Sequence, residues 1–104
     1  MYKICFFVPV GAEEPVKNAM FYAGAGKIGN YDRCCWQTLG QGQFRPLPGS
    51  HPFLGSQDTL ETVPELKIEM VCDDEHIADA IAALRRTHPY ETPAYEYWSI
   101  QDTQ

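Results

Sequence analysis

The stretch "LKIEMVCDDEHIADAIAALRRTHPYETPAYEYWSI", Leu66 to Ile100, decides the fold. It opens with a clean alternation. Leu66, Ile68, Met70 and Cys72 fall on one side of an extended chain, and Lys67 and Glu69 on the other, as in a half-buried strand. Asp73 or Asp74 then offers a side-chain oxygen to cap a helix. Ile77, Ala80, Ile81 and Leu84 follow at helical spacing and make one apolar stripe. Pro89 ends that helix, because the residue before a proline is pushed out of the α region. Tyr95 to Ile100 is aromatic-rich and reads as another strand.

The same strand–helix–strand order is present upstream. Tyr2, Ile4, Phe6 and Val8 share one face of a first strand, while Cys5 and Phe7 take the other. Apolar residues on both faces mark a central strand. Val16, Ala19, Met20 and Ala23 form a helical stripe. Pro15 fits the first turn of that helix, Glu13 and Glu14 suit its positive end, and Gly24 or Gly26 closes it. Cys34 to Leu39 reads as the second strand. Gly40 to Pro64 reads as irregular, with four glycines and four prolines. Within it Gln43 to Leu47 pairs only at a sheet edge, because Pro46 and Pro48 lack a ladder donor. A loop beyond about 12–15 residues in a compact domain is usually functional or disordered, and Phe44, Phe53 and Leu54, which give this one something to bury, favour an ordered loop.

Two β-α-β halves predict an α+β, ferredoxin-like split β-α-β fold. Its antiparallel sheet carries two helices on one face, with a long loop or hairpin extension between strands 2 and 3. Residues 1–104 make one domain. The uncovered sheet face holds Phe7, Trp36 and either Trp98 or Tyr97. A partly apolar open face predicts a homo-oligomer.

Composition excludes some classes. The net charge is −6 and the pI about 4.8. Arg85-Arg86 is the only basic pair, so nucleic acid is not an expected partner. No apolar run approaches the roughly 18 residues of a membrane span, and the N-terminal strand lacks the charged leader and cleavage site of a signal peptide. Cys5, Cys34, Cys35 and Cys72 form neither a zinc spacing nor a disulfide framework, which points to a reduced, cytoplasmic protein.

Three motifs invite a chemical reading. "GAGKIG", Gly24 to Gly29, matches the dinucleotide-turn pattern, but it follows a helix instead of opening one, so its geometry is reversed. It reads as a helix stop and a tight turn through Gly29-Asn30. His51, His88 and Glu91, with Cys34, are the candidate ligands of a divalent metal ion, although their spacing does not compel convergence. The structural alternative has His88 capping the helix and Glu91 accepting backbone N–H groups in its own turn. No nucleophile–base pair is evident: Ser50 and His51 are adjacent in sequence, whereas a triad is a spatial arrangement.

Four segments together carry a resemblance: "AGAGKIGNYDRCCW", "GQGQFRPLPGSHPFLG", "LETVPELKIEMV" and "AALRRTHPYETPAYEYW". In that order they resemble the YqfO-type domain of the NGG-interacting-factor-like family, over nearly the whole chain. That domain is often inserted in a larger metal-binding protein. It is similar in fold to PII signalling proteins and to the CutA family, which are typically trimeric. The two-metal site of the larger relatives belongs to flanking halves that this sequence does not contain, so their ligands and activity do not transfer. The resemblance carries Cys34, Gly40, Gly42, Gly49, Pro52, Gly55, Glu61 and Pro89 as signature positions, beside the site candidates. The PII likeness implies a small-effector cleft between subunits, and the CutA likeness implies a divalent metal.

The expectation is therefore a non-enzymatic, PII-like oligomeric module, a trimer before a dimer, that binds a small ligand or a protein partner and needs no cofactor. Its ligand residues are expected among Gly26, Gly29, Asn30, Tyr31, Phe44, His51, Glu65, His88, Tyr90 and Glu91. A CutA-like divalent-metal protein is the first alternative, and a small enzyme with its site between subunits the second.

Overall fold

The structure, a computed structural model, describes residues 1–102. Residues 103 and 104, which the domain reading includes, lie outside the described residues. The elements are β1 (Tyr2–Pro9), α1 (Glu13–Tyr22), β2 (Trp36–Phe44), β3 (Glu61–Cys72), α2 (Ile77–Thr87) and β4 (Tyr95–Ser99). The sheet order is β2-β3-β1-β4, and every neighbouring pair is antiparallel. Each β-α-β half thus encloses a strand of the other. This is the split β-α-β fold that the two hydrophobic periods predict.

β1 is central, as its two apolar faces require. Ile4, Phe6 and Val8 are fully buried, and Leu66, Ile68, Met70 and Cys72 of β3 lie beside them. Val16 and Met20 of α1 and Ala80, Ala83 and Leu84 of α2 cover this face. α1 ends in a Schellman motif: the Ala25 N–H donates to Met20 O and the Gly24 N–H to Phe21 O. Gly24, at φ +113°, is therefore the stop, and not Gly26. α2 begins later than the aspartates. Asp73 Oδ1 accepts the His76 N–H at 2.9 Å and holds the turn before the helix, while Asp74 pairs with the N-terminal amine.

Strand pairing settles the open face. Lys3 pairs with Trp98 and Ile4 with Tyr97, so Trp98 faces away from the helices and Tyr97 lies on their side, edge-on to Tyr2. Trp36, opposite Glu69, is also on the open face. Trp36 and Trp98 are 68% and 45% exposed. Lys3, Lys67, Glu69 and Glu96 share that face, which is apolar only in part.

The irregular reading of Gly40 to Pro64 is corrected at both ends. β2 continues to Phe44 and β3 starts at Glu61, so the two pair from Phe44↔Glu61 to Trp36↔Glu69. Gly40 and Gly42 lack the side-chain alternation that signals a strand, yet their backbones complete the ladder. The remaining loop, residues 45–60, folds on itself: Asp58 N–H donates to Pro46 O, and Ser50 donates to Leu47 O from both backbone and hydroxyl.

Candidate functional site

The α2–β4 corner begins where Pro89 forces His88 into an extended conformation, ψ 135°. The His88 side chain turns inward and is 6% exposed. Its Nε2 meets the Phe7 carbonyl at 2.6 Å, and its Nδ1 accepts the Tyr90 N–H at 3.1 Å. This pairing assigns the neutral tautomer with the proton on Nε2. Burial holds the His88 pKa below its ordinary value, against the opposing pull of the Phe7 carbonyl and the Glu65 charge. The Phe7 N–H donates to Ala94 O on the same strand edge. The His88 ring thus supplies the donor for the Phe7 carbonyl just beyond the end of β4.

Tyr90 stands on this base. Its ring lies 5.1 Å from His88, 5.9 Å from Phe44 and 6.3 Å from Phe53. Its hydroxyl donates to Glu65 Oε2 at 2.9 Å. Burial first, then the Glu65 hydrogen bond and charge, push the phenol pKa up, so the proton stays on Tyr90. Glu65 reaches this position over Gly42, where a Cβ would collide with its carboxylate. Glu91 Oε2 accepts the His51 N–H at 2.7 Å and ties the long loop to the corner.

Between loop and corner lies a cleft of about 560 Å³. Phe7, Phe44, Arg45, Glu65, Tyr90 and Glu91 are among the residues that line it. The volume is within the range of small-molecule sites.

Six of the expected ligand residues meet in this region: Phe44, His51, Glu65, His88, Tyr90 and Glu91. Four do not. The Gly26 N–H donates to Val71 O, and Val71 pairs with Lys3. Gly26, Gly29, Asn30 and Tyr31 therefore sit near the start of β1, about 13 Å from Phe7 by strand rise. Gly29 and Asn30 make the expected tight turn, flanked by reciprocal hydrogen bonds of Ile28 and Tyr31. Positive φ at Gly29 alone fits a type II′ turn. One copy of the chain does not bring this turn to the cleft.

The proposed metal ligands are likewise divided. Cys34 N–H donates to Gly26 O at the far end, and His88 already uses both ring nitrogens. Among the described residues, no three of His, Cys, Asp and Glu are grouped to hold a metal ion. His88 is the C-cap of α2 through its backbone, whose N–H donates to Leu84 O, while its side chain supports β1 and Tyr90. Glu91 accepts a backbone N–H from the distant loop, not from its own turn.

Sequence reasoning missed Arg45 and assigned Phe7 only to the open face. Phe7 does occupy that face, but its place near the end of β4 also brings it to the cleft wall. Cys5 and Cys72 lie outside the cleft lining, and burial raises both thiol pKa values, that of Cys72 to about 11. Neither is an activated nucleophile.

No family model matches the chain. It is 42% identical over 100 residues to the "GTP cyclohydrolase 1 type 2 homolog" of Halalkalibacterium halodurans, covering 96% of this chain and 27% of that protein. The protein of the same description from Bacillus subtilis is 39% identical, over 97% of this chain and 27% of its own length. The crystal structure of a Bacillus cereus protein related to NIF3 superposes with a TM-score of 0.81 at 36% identity, over 97% of this chain and 26% of that one. The chain is a domain of the NGG-interacting-factor-like, or NIF3-related, family. It spans about a quarter of the length of the relatives it matches. CutA1 from Pyrococcus horikoshii aligns with this NIF3-related domain at a TM-score of 0.70 and 12% identity, over 100% of the domain and 87% of CutA1. B. subtilis GlnK aligns at 0.55 and 16%, over 95% and 83%. These two likenesses concern the fold alone, and they agree with the PII-like, ferredoxin-like architecture.

Proposed function

We propose that this NIF3-related domain is a non-enzymatic module that assembles with copies of itself and holds a small ligand in the cleft between the β2–β3 loop and the α2–β4 corner. The observation that carries the reading is the cleft itself, with Phe44 and Tyr90 as walls and the Tyr90–Glu65 pair fixed within it. Such a site is apolar with a few placed polar groups, as ligand pockets are. The neutral, doubly bonded His88 supports a structural role and disfavours general-base chemistry.

Self-assembly, as a trimer before a dimer, is supported by the exposed Trp36 and Trp98 on the open sheet face and by the PII-like fold. The four free cysteines support a reducing, cytoplasmic setting. No described helix is long and apolar enough to cross a membrane.

Two measurements test the proposal. Light scattering across micromolar concentrations should give a mass above that of one chain, and a monomer throughout would refute the assembly. Amide NMR spectra recorded with a library of small metabolites should show shifts confined to the loop and corner. A library that leaves those amides unmoved would refute the ligand site.

A further inference from the structure

We propose that His88 is a proton-operated latch of the cleft: a second ring proton leaves the ring bound to β1 but parts it from Tyr90, and residues 90 and 91 then release the loop they hold. This adds a regulation to the cleft and rests on its reading as a ligand site.

The two ring nitrogens respond to acid in opposite ways. Nε2 donates to the Phe7 carbonyl at 2.6 Å, and Nδ1 accepts the Tyr90 N–H at 3.1 Å. An imidazolium carries a proton on both nitrogens. The bond to Phe7 survives that change and becomes charge-assisted. The bond to Tyr90 does not, because Nδ1–H then meets a backbone N–H, donor against donor. Acid therefore acts on one side of the ring, the side toward the cleft.

The long loop hangs on that side. The Tyr90 ring lies 6.3 Å from Phe53, and Glu91 Oε2 accepts the His51 N–H at 2.7 Å. The other hydrogen bonds of residues 45–60, from Ser50 to Leu47, Asp58 to Pro46 and Thr59 to Ser56, stay within the loop. Both ties to the corner thus run through two consecutive residues, Tyr90 and Glu91. The backbone N–H of the first is received by His88.

The surroundings of the ring set when the latch turns. Burial is the largest influence and refuses the second proton, while the Phe7 carbonyl of β1 and the Glu65 charge of β3 favour it. Tyr90 keeps its own proton, and Phe6 of β1 presents a ring edge-on. Lys67 of β3, Arg85 and Arg86 of α2, Glu91 of the corner and His51 of the loop are exposed, so water and salt screen them. An opened corner wets the ring and returns it toward the ordinary 6.5. Between about pH 7.5 and 5.5 the ratio of open to closed corner then rises about tenfold.

The test is amide hydrogen exchange on the full chain, with rates corrected for the intrinsic effect of pH. Protection of the Tyr90 and His51 amides should be below that of the β1 core amides and should fall about tenfold between about pH 7.5 and 5.5. His88→Gln keeps a donor for Phe7 and an acceptor for Tyr90 but does not titrate, so it should abolish the fall. Glu91→Ala should strip His51 of protection at both pH values and leave the fall at Tyr90. If His88→Gln does not fold, the profile of the parent decides. One histidine gives a plateau above about pH 7.5 and approaches one decade per pH unit well below 6.5, whereas a carboxylate starts only near pH 5.

Tyr90 protection that is independent of pH, that falls equally in His88→Gln, or that equals the protection of the β1 core would overturn the latch. A fall at Tyr90 with none at His51 would overturn the release of the loop. The measurement uses no ligand, so each of these results leaves the ligand reading standing. A metabolite library that moves no cleft amide overturns that reading and leaves the latch.

Discussion

Replacing His88 by alanine should strongly destabilise this domain, and the size of the effect follows from what the ring touches. The imidazole donates to the Phe7 carbonyl and accepts from the Tyr90 N–H, in a position that is 6% exposed. Alanine strands both backbone groups. Each unsatisfied buried group costs about 1–3 kcal/mol. Lost packing against Phe6 and Tyr90 adds a cavity. The expected loss is about 3–6 kcal/mol, against about 5–15 kcal/mol for the total stability of a domain this size. At about 4–8 °C per kcal/mol, a loss near 4 kcal/mol lowers Tm by roughly 15–30 °C. Urea unfolding followed by tryptophan fluorescence and far-UV circular dichroism measures it directly. His88→Gln, whose amide carries both a donor and an acceptor, should recover part of the loss. A His88→Ala variant within about 1 kcal/mol of the parent, or His88→Gln less stable than His88→Ala, would refute the structural role.

Other outcomes follow from the same corner. Because the folded His88 pKa lies below the ordinary 6.5, the unfolded chain takes up a proton that the folded chain refuses. The stability this group contributes is therefore full above about pH 6.5 and is lost as pH falls toward the folded value. Urea melts at about pH 7.5 and 5.5 should show that loss, and the His88→Gln variant should lack this component. Gly42→Ala should push the Glu65 carboxylate off Tyr90 and destabilise by about 1–3 kcal/mol, with Tyr90 titrating at lower pH in ultraviolet difference spectra. Glu91→Ala should release the loop, speeding hydrogen exchange at the His51 amide by about 3–10-fold while core amides of β1 stay unchanged.

The fold was legible because its signals are local. The alternation from Leu66 to Cys72 and the stripe of Val16 and Met20 need only neighbouring residues, and both emerge as core. The far half of β2 was not legible, since Gly40 and Gly42 pair through backbone and carry no side-chain pattern. Choosing Trp98 over Tyr97 for the open face required the register of β1 against β4, which no short window contains. The site was half legible for the same reason. His88, Tyr90 and Glu91 stand together in sequence. Their partners, by contrast, lie far away: Tyr90 bonds Glu65 25 residues off, and Glu91 bonds His51 40 residues off. The glycine-rich turn entered the ligand set through the family resemblance, and within one copy the strand pairing puts it at the other end of β1. Spacing alone shows neither that Cys34 sits beside Gly26, at the far end of β1, nor that His88 has both ring nitrogens engaged.

The pairing of β1 with β4 has one more consequence. Tyr2 sits opposite Ser99, and the Ile100 N–H donates to Met1 O, so the chain enters and leaves the sheet side by side. Adjacent ends make a domain portable, because a host protein can carry it as one excursion from a single surface point. The host's backbone need bridge only the gap between neighbouring strands, about 5 Å. In this fold such a seam would lie at the start of β1, and the cleft, lined by Phe7, lies toward its other end.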